Sequence, residues 1–505
     1  MIKPPTDISS MSCSTFSTAP FLITKPRRAN DMFRCRILTK FVTANRLRLP
    51  QRPLGTATSV YPPNKTARQT LIHSGSNNAR AGILCHQLPR HLVAKRHLSG
   101  REPIAGMKTA DVQNYHLDKG GRVLAVEWND GTESRFHSLW LRYNCQCDRC
   151  RQHASNQRVV DVTAIPDTLT IQDVNVTEGG DVFVTCTEED HTIELDTTFL
   201  KSHCYSRKSR DAKRKAMAPT YRLSGEVQTL SYEEMDSSEQ GFYKWLKAIN
   251  EDGMCLLKGV PTELGYLKKV VERIGPVQAT MYGEIFDVVE TPEPTNAAYS
   301  NVSLAFHMDQ QVYEAAPGLQ FLHCIRFDDS VTGGETTFVD MFHTAEEFRR
   351  KYPDEFRSLT RLPCTFDRIH FSRDNPVYKR NRKPHFVLND SDDIVAVNWH
   401  PGMEGPLSIP EEDVDSYYHA YQIFAKMVNN SPTYKQIRFR PGDLITFNNR
   451  RMAHGRNAFK QSAGGVRHLQ GAYVDIDSFK SKTQVLSLAV GDGGLVKRVG
   501  SHCWD

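Results

Sequence analysis

Val302-Ser303-Leu304-Ala305-Phe306-His307-Met308-Asp309 is the stretch on which the fold and the chemistry of this chain turn. Apolar Val302, Leu304 and Phe306 alternate with Asn301, Ser303 and Ala305, the period-two pattern of a half-buried strand. Side chains at i and i+2 leave one face of a sheet, so His307 and Asp309 are expected to point together. One imidazole and one carboxylate, joined by a distant second histidine, make a facial triad that suits non-haem Fe(II) and leaves positions open. His454 is the candidate, within Arg451-Met452-Ala453-His454-Gly455-Arg456. It follows the apolar run Leu444-Ile445-Thr446-Phe447, which is entered through the turn Pro441-Gly442-Asp443. A bare His-x-Asp arises often by chance on ordinary strands, so its weight rests on the rest of the chain.

With 505 residues, 39% apolar and 24% charged, the chain has the composition of a globular protein large enough for two or three domains. No apolar run approaches the roughly 20 residues of a membrane span. The net charge of +6 is unevenly placed. Residues 1–106 hold 17 Lys+Arg and three acids, a charge of +14, so residues 107–505 carry −8. That acidic balance argues against a nucleic-acid surface. Of the 12 cysteines, Cys145, Cys147 and Cys150 cluster, while Cys255, Cys324 and Cys364 sit singly in apolar stretches. This is no disulfide framework, and a reducing compartment follows.

Residues 1–106 are rich in Arg, Ser, Thr and Asn and lack sustained periodicity, as in a mitochondrial transit peptide. Arg34, Arg36, Lys40, Arg46 and Arg48 interleave with Phe33, Ile37, Leu38, Phe41 and Val42, and Arg96-His97-Leu98-Ser99 marks a candidate cleavage region. The alternatives are a disordered tail and a cytoplasmic protein that starts at Met107.

Residues 107–204 read as a small β-rich domain. Val123 to Trp128, the turn Asn129-Asp130-Gly131 and Glu133 to Leu141 predict a hairpin, with further strands at Thr170 to Val174 and Asp181 to Thr187. Three thiols within Cys145-Gln146-Cys147-Asp148-Arg149-Cys150 can converge on a structural Zn2+. His191 is the best fourth ligand, with Cys186 and Cys204 as rivals. Residues 205–228, with Arg207, Lys208, Arg210, Lys213, Arg214 and Lys215, read as a basic linker or solvated helix face.

Residues 229–488 form the large domain, followed by a tail at 489–505. Helices are expected at 229–251, at Leu264 to Ile274 before Gly275-Pro276, at Thr344 to Tyr352 and at Val414 to Val428. Strands are expected at Met254 to Val260 and Gly318 to Ile325, and Thr332 to Asp340 reads as a turn followed by a strand. Residues 366–400 contain strands with a basic insertion near Lys379 to Lys383, and strands resume at Tyr434 to Phe439, Leu444 to Phe447 and His468 to Val474. Many short strands, Gly-rich turns and a few flanking helices predict a mostly β, double-layer jelly roll.

Four motifs together carry a resemblance over roughly residues 108–488: Trp140-Leu141-Arg142-Tyr143-Asn144-Cys145, His307-Met308-Asp309, Thr332-Gly333-Gly334, and His454-Gly455-Arg456 followed by Arg467-His468-Leu469-Gln470-Gly471-Ala472-Tyr473. The chain resembles the iron- and 2-oxoglutarate-dependent dioxygenases of carnitine biosynthesis, the family of γ-butyrobetaine and trimethyllysine dioxygenases. The resemblance implies a double-stranded β-helix with Fe(II) on His307, Asp309 and His454. It implies 2-oxoglutarate held by Arg467, 13 residues beyond His454, with Thr336 assisting. It places zinc on Cys145, Cys147, Cys150 and His191, and implies O2 as oxidant, ascorbate as reductant and a homodimer.

The implied substrate is a small trimethylammonium compound. A quaternary ammonium has no N–H to donate, so aromatic faces must hold it. The family's cage positions fall on Tyr282, Phe286, Tyr299 and Tyr473, with phenylalanine where the vertebrate enzyme has tryptophan. Asn296 resembles the butyrobetaine branch, whose trimethyllysine sisters show aspartate there. The implied reaction is C3 hydroxylation of γ-butyrobetaine to L-carnitine with release of succinate and CO2. The alternative is 3-hydroxylation of trimethyllysine, the branch that the basic leader resembles. Gln310 and Arg450 also depart from the family's aromatic residues. Outside this class stand a non-catalytic trimethylammonium-binding protein of the same fold and a zinc-based interaction module.

Overall fold

The computed structural model describes residues 111–500 except 153, 188–189, 222–225, 374 and 463. The basic leader lies outside the described residues. Among these, no helix is long and apolar enough to cross a membrane. The eight cysteines found among them are all buried and free.

The N-terminal part holds two antiparallel three-stranded sheets. One runs Val112–Asp118, Val123–Trp128, Glu133–His137; the other runs Ile171–Val176, Asp181–Cys186, Thr192–Asp196. The expected hairpin forms, but its second strand stops at His137 and Ser138–Tyr143 turns into a helix. The reason is spacing: Ser138, Leu141 and Arg142 are the buried positions, an i, i+3, i+4 set that a strand would split between two faces. The Ser138 hydroxyl also donates to the Leu169 carbonyl. This short helix delivers the chain into the cysteine cluster. The basic stretch that follows is helical at Arg207–Ala216, with no residue fully buried.

The C-terminal part is a sandwich of two antiparallel-rich sheets. The larger runs Ile285–Val288, Arg467–Val474, Leu319–Phe327, Leu444–Asn448, Met254–Lys258, Thr229–Ser231. The smaller runs Leu304–His307, Met452–Arg456, Thr336–Asp340, Lys435–Ile437. Leu322, Cys324, Ile445, Phe447 and Leu469 from the first pack against Phe338 and Met452 from the second, with the Phe338 and Phe447 rings 5.1 Å apart. The outer face of the larger sheet is covered by helices Glu239–Asp252 and Ile476–Val490, and that of the smaller by Met341–Lys351, Pro353–Arg361 and Val414–Asn429. This is the expected jelly roll, with period-two alternation deciding which residues reach the space between the sheets.

Three expectations shift. The single helix at 229–251 breaks into strand Thr229–Ser231 and helices Tyr232–Asp236 and Glu239–Asp252. Ser231 and Ser238 each cap a new helix start by accepting a backbone N–H, from Glu234 and Gly241. The helix expected from Thr344 begins at Met341, because the Asp340 side chain accepts from the N–H groups of Phe342 and His343. The deciding strand is shorter than its alternation implied. It spans Leu304–His307, and Val302 lies outside it, 52% exposed. Residues 491–500 pack back on the fold, with Val496 and Val499 buried and Arg498 paired with Asp393 at 3.1 Å.

Candidate active site

The strand ends at His307, so alternation alone does not bring Asp309 beside it. A turn does. Gln310 adopts φ +62°, the left-handed region that a non-glycine residue occupies at a cost. Asn449 clamps the turn: its Oδ1 accepts from the Asp309 N–H (2.7 Å), and its Nδ2 donates to the Asp309 carbonyl (3.0 Å). The result is His307 Nε2 at 3.4 Å from Asp309 Oδ1. The neighbouring strand sets His454 directly opposite His307, with ring centroids 4.2 Å apart. Two strands and one turn thus bring the three residues into one neighbourhood, with His307 and Asp309 the pair whose ligand atoms meet.

Hydrogen bonds fix which atoms face the cluster. His307 Nδ1 bonds to its own strand at the Ala305 carbonyl (2.8 Å), leaving the Nε2 lone pair directed at Asp309. Asp309 Oδ2 accepts from Tyr473 OH (2.6 Å) and Gln320 Nε2 (2.7 Å), so Oδ1 remains for a cation. Burial would raise the Asp309 carboxyl, but the facing His307 imidazole and the hydrogen bond from Tyr473 hold it well below the usual carboxylate range. Burial pushes His454 down to about 3, so it is a neutral imidazole, the form that binds metals. Its Nδ1 is buried without a hydrogen-bond partner, as a ligand nitrogen would be before a metal satisfies it. These donors fit a divalent iron.

A third imidazole was not foreseen. His400 follows the strand Ile394–Val397, and its ring centroid is 4.7 Å from that of His307. Ligand atoms of His307, Asp309 and His400 lie within 4.8 Å of one another, a set that holds His400 where the sequence led to His454. Burial pushes His400 down to about 3. Gln320 and Asn449 were missed as well. A polar residue inside the apolar run Leu319-Gln320-Phe321-Leu322 is a legible signal; for His400 and Asn449 the sequence offers none.

These groups open on a cavity of about 330 Å3. All the expected co-substrate and cage residues line it: Arg467, Thr336, Tyr282, Phe286, Asn296, Tyr299 and Tyr473. Arg467 is 2% exposed; its Nε donates to the Gly334 carbonyl (3.1 Å), and burial pushes it down to about 9. Gly334 has φ +77°, and a Cβ there would meet Arg467 Cδ at 3.1 Å, which accounts for the glycine of the Thr332-Gly333-Gly334 motif. Phe286 lies across the sheet over Gly471, where a Cβ would strike its ring at 2.3 Å. It stacks on Tyr473 at 5.2 Å and neighbours Tyr282 at 6.1 Å. Asn296 Nδ2 donates to Tyr282 OH (2.8 Å). Arg450 lies outside the cavity lining, donating to the Ala316 carbonyl.

In the N-terminal part, His191 Nε2 lies 3.4, 3.7 and 3.4 Å from the sulfurs of Cys145, Cys147 and Cys150. A tetrahedral Zn2+ with Zn–S of about 2.3 Å and Zn–N of about 2.0 Å sets such ligands about 3.5 Å apart. All four residues are buried. Cys186 and Cys204 are outside this set.

Residues 214–473 match the model of the taurine catabolism dioxygenase TauD, TfdA family, slightly more than half of the chain. The chain belongs to the TauD, TfdA dioxygenase family. Residues 115–184 of this dioxygenase also match the model "gamma-butyrobetaine hydroxylase-like, N-terminal". It is 32% identical to the γ-butyrobetaine dioxygenase of Pseudomonas sp. (strain AK-1), over 72% of this chain and 93% of that one. It is 29% identical to human γ-butyrobetaine dioxygenase, over 76% and 99%. It is 26% identical to the trimethyllysine dioxygenase of Meyerozyma guilliermondii, over 73% and 94%. As a 2-oxoglutarate-dependent dioxygenase its metal and co-substrate are Fe(II) and 2-oxoglutarate, consistent with this family and these relatives.

Proposed function

We propose that this dioxygenase hydroxylates γ-butyrobetaine at C3 to give L-carnitine, with succinate and CO2 as co-products. One observation carries the reading: a ring of four aromatic side chains and the His307–Asp309–His454 cluster line the same cavity. The rings of Tyr282, Phe286, Tyr299 and Tyr473 offer faces to a trimethylammonium group, each contributing about 0.5–2 kcal/mol when desolvated. Among the described residues lining the cavity, Asp309 is the one carboxylate. Trimethyllysine carries an α-ammonium that would find no counter-ion there, whereas butyrobetaine does not carry one.

His307, Asp309 and His454 would hold the iron, and Arg467 the far carboxylate of 2-oxoglutarate through a bidentate guanidinium, with Thr336 beside it. When bound, Fe(II), 2-oxoglutarate and O2 supply the oxidising chemistry of the hydroxylation. The chain's own work is placement. Tyr473 and Gln320 orient the Asp309 carboxylate, the Ala305 carbonyl fixes the His307 tautomer, and the cage fixes which substrate carbon faces the cluster. Cys145, Cys147, Cys150 and His191 would hold a structural Zn2+, and residues 1–106 would direct the chain to mitochondria.

The test is anaerobic protein loaded with Fe(II) and 2-oxoglutarate, then given O2 with butyrobetaine or trimethyllysine in parallel. Succinate release and a product 16 Da heavier are expected with butyrobetaine; the same signal with trimethyllysine alone would transfer the assignment to that substrate. A reporter fused to residues 1–106 should be mitochondrial, and diffuse signal would end the targeting idea.

A further inference from the structure

Three arginines line the cavity, and two are already committed. Arg456 donates to the carbonyls of Ala298, Ser300 and Val302, tying down the loop before the Leu304–His307 strand. Arg467 bonds to Gly334 and is the 2-oxoglutarate anchor of the reading above. Arg368 is the third. It stands on the strand Pro363–His370, whose hairpin partner is Val377–Pro384. Its Nη2 donates to the carbonyl of Thr295, the residue before Asn296 (2.7 Å), and its Nε is buried with no hydrogen-bond partner. Among the described residues no carboxylate pairs with it, since the adjacent Asp367 is taken by Arg380 at 3.2 Å. The same hairpin brings Arg373 to 5.0 Å from the Tyr282 ring centroid, with Nη2 on the Met281 carbonyl, so the strand that carries Arg368 is fastened to the aromatic wall.

A half-buried guanidinium that lines the cavity and has no carboxylate partner among the described residues favours an anion from the ligand. We propose that Arg368 receives the carboxylate of the substrate and so determines specificity for a trimethylammonium compound with a bare carboxylate at its far end. The inference rests on the function proposed above. A zwitterion held at both ends has its middle carbons fixed relative to His307 and Asp309, which is the requirement for hydroxylating one carbon of a flexible chain. Asn296, next to the Thr295 carbonyl that braces Arg368, couples this end of the cavity to Tyr282 in the cage. Arg368 acts on binding, not on the reacting atoms.

The test is steady-state kinetics of the full-length, iron-loaded protein with butyrobetaine and with n-butyltrimethylammonium, in which a methyl replaces the carboxylate. Wild type should prefer butyrobetaine. R368M should raise KM for butyrobetaine about 10- to 100-fold, the worth of a charge-assisted hydrogen bond, with a smaller change in kcat. The ratio of kcat/KM between the two compounds should fall toward 1, and R368K should recover part of it. An unchanged ratio in R368M, or no preference for the carboxylate in wild type, would overturn the role of Arg368 while leaving the proposed reaction standing. If R368M does not fold, R368K decides on the same ratio. Wild type that releases succinate with neither butyrobetaine nor trimethyllysine would overturn both proposals.

Discussion

Tyr473 OH donates to Asp309 Oδ2 across 2.6 Å, from the second strand of the larger sheet to the turn that follows the Leu304–His307 strand. The same ring stacks on Phe286 in the cage. One side chain therefore touches both the Asp309 carboxylate and the Phe286 ring, joining two proposed roles that the sequence assigns separately.

Tyr473→Phe separates them, because the ring stays and the hydrogen bond goes. Fe(II) affinity should fall about 10-fold, the lower end for loss of a partner behind a ligand. Anaerobic iron titration checks this. Equal iron affinity in the variant and wild type would mean that Gln320 alone orients Asp309.

His454 and His400 both approach His307, at 4.2 and 4.7 Å between ring centroids. Only His454 lies on a strand hydrogen-bonded to that of His307, which holds it rigidly. His454→Ala and Asp309→Ala should abolish succinate release and iron binding with the circular dichroism spectrum retained. His400→Ala should keep iron stoichiometrically. Loss of iron in the His400 variant alone would exchange the two histidines.

If the proposed Zn2+ sits on the Cys145–Cys147–Cys150–His191 set, Cys147→Ser should lose it, measured as metal content by mass spectrometry. Burial pushes the Cys145 thiol up to about 12, so its thiolate needs the cation beside it. The N-terminal sheets should then melt first, visible as a lower-temperature transition. A variant that retains one zinc per chain would point to other ligands.

His323 lies in the core with 0% exposure, and burial pushes it down to about 4 from an ordinary 6.5. The unfolded chain binds this proton below about pH 6.5 and the fold resists it until about pH 4, so stability is lost as pH falls through that window. Between pH 7.5 and 5 the loss from this one group is about 2 kcal/mol. His323→Leu should flatten the dependence of the urea midpoint on pH by that amount; an unchanged slope would mean that other groups carry the acid response.

The sequence by itself was enough for the two sheets, the hairpin turn at Asn129-Asp130-Gly131, the cysteine cluster and, through the resemblance, part of the cavity lining from Tyr282 to Tyr473. Alternation and turn chemistry are local, and the spacing of Cys145, Cys147 and Cys150 is a property of six consecutive residues. What the tertiary structure alone decided is how distant groups meet. Asp309 sits beside His307 because Asn449, 140 residues away in the chain, holds a left-handed turn at Gln310. Gln320, His400 and Arg368 reach the cavity from three strands or strand ends that no local pattern connects. Their positions follow from the register of long-range pairs and from burial, which act between segments only once the chain has folded.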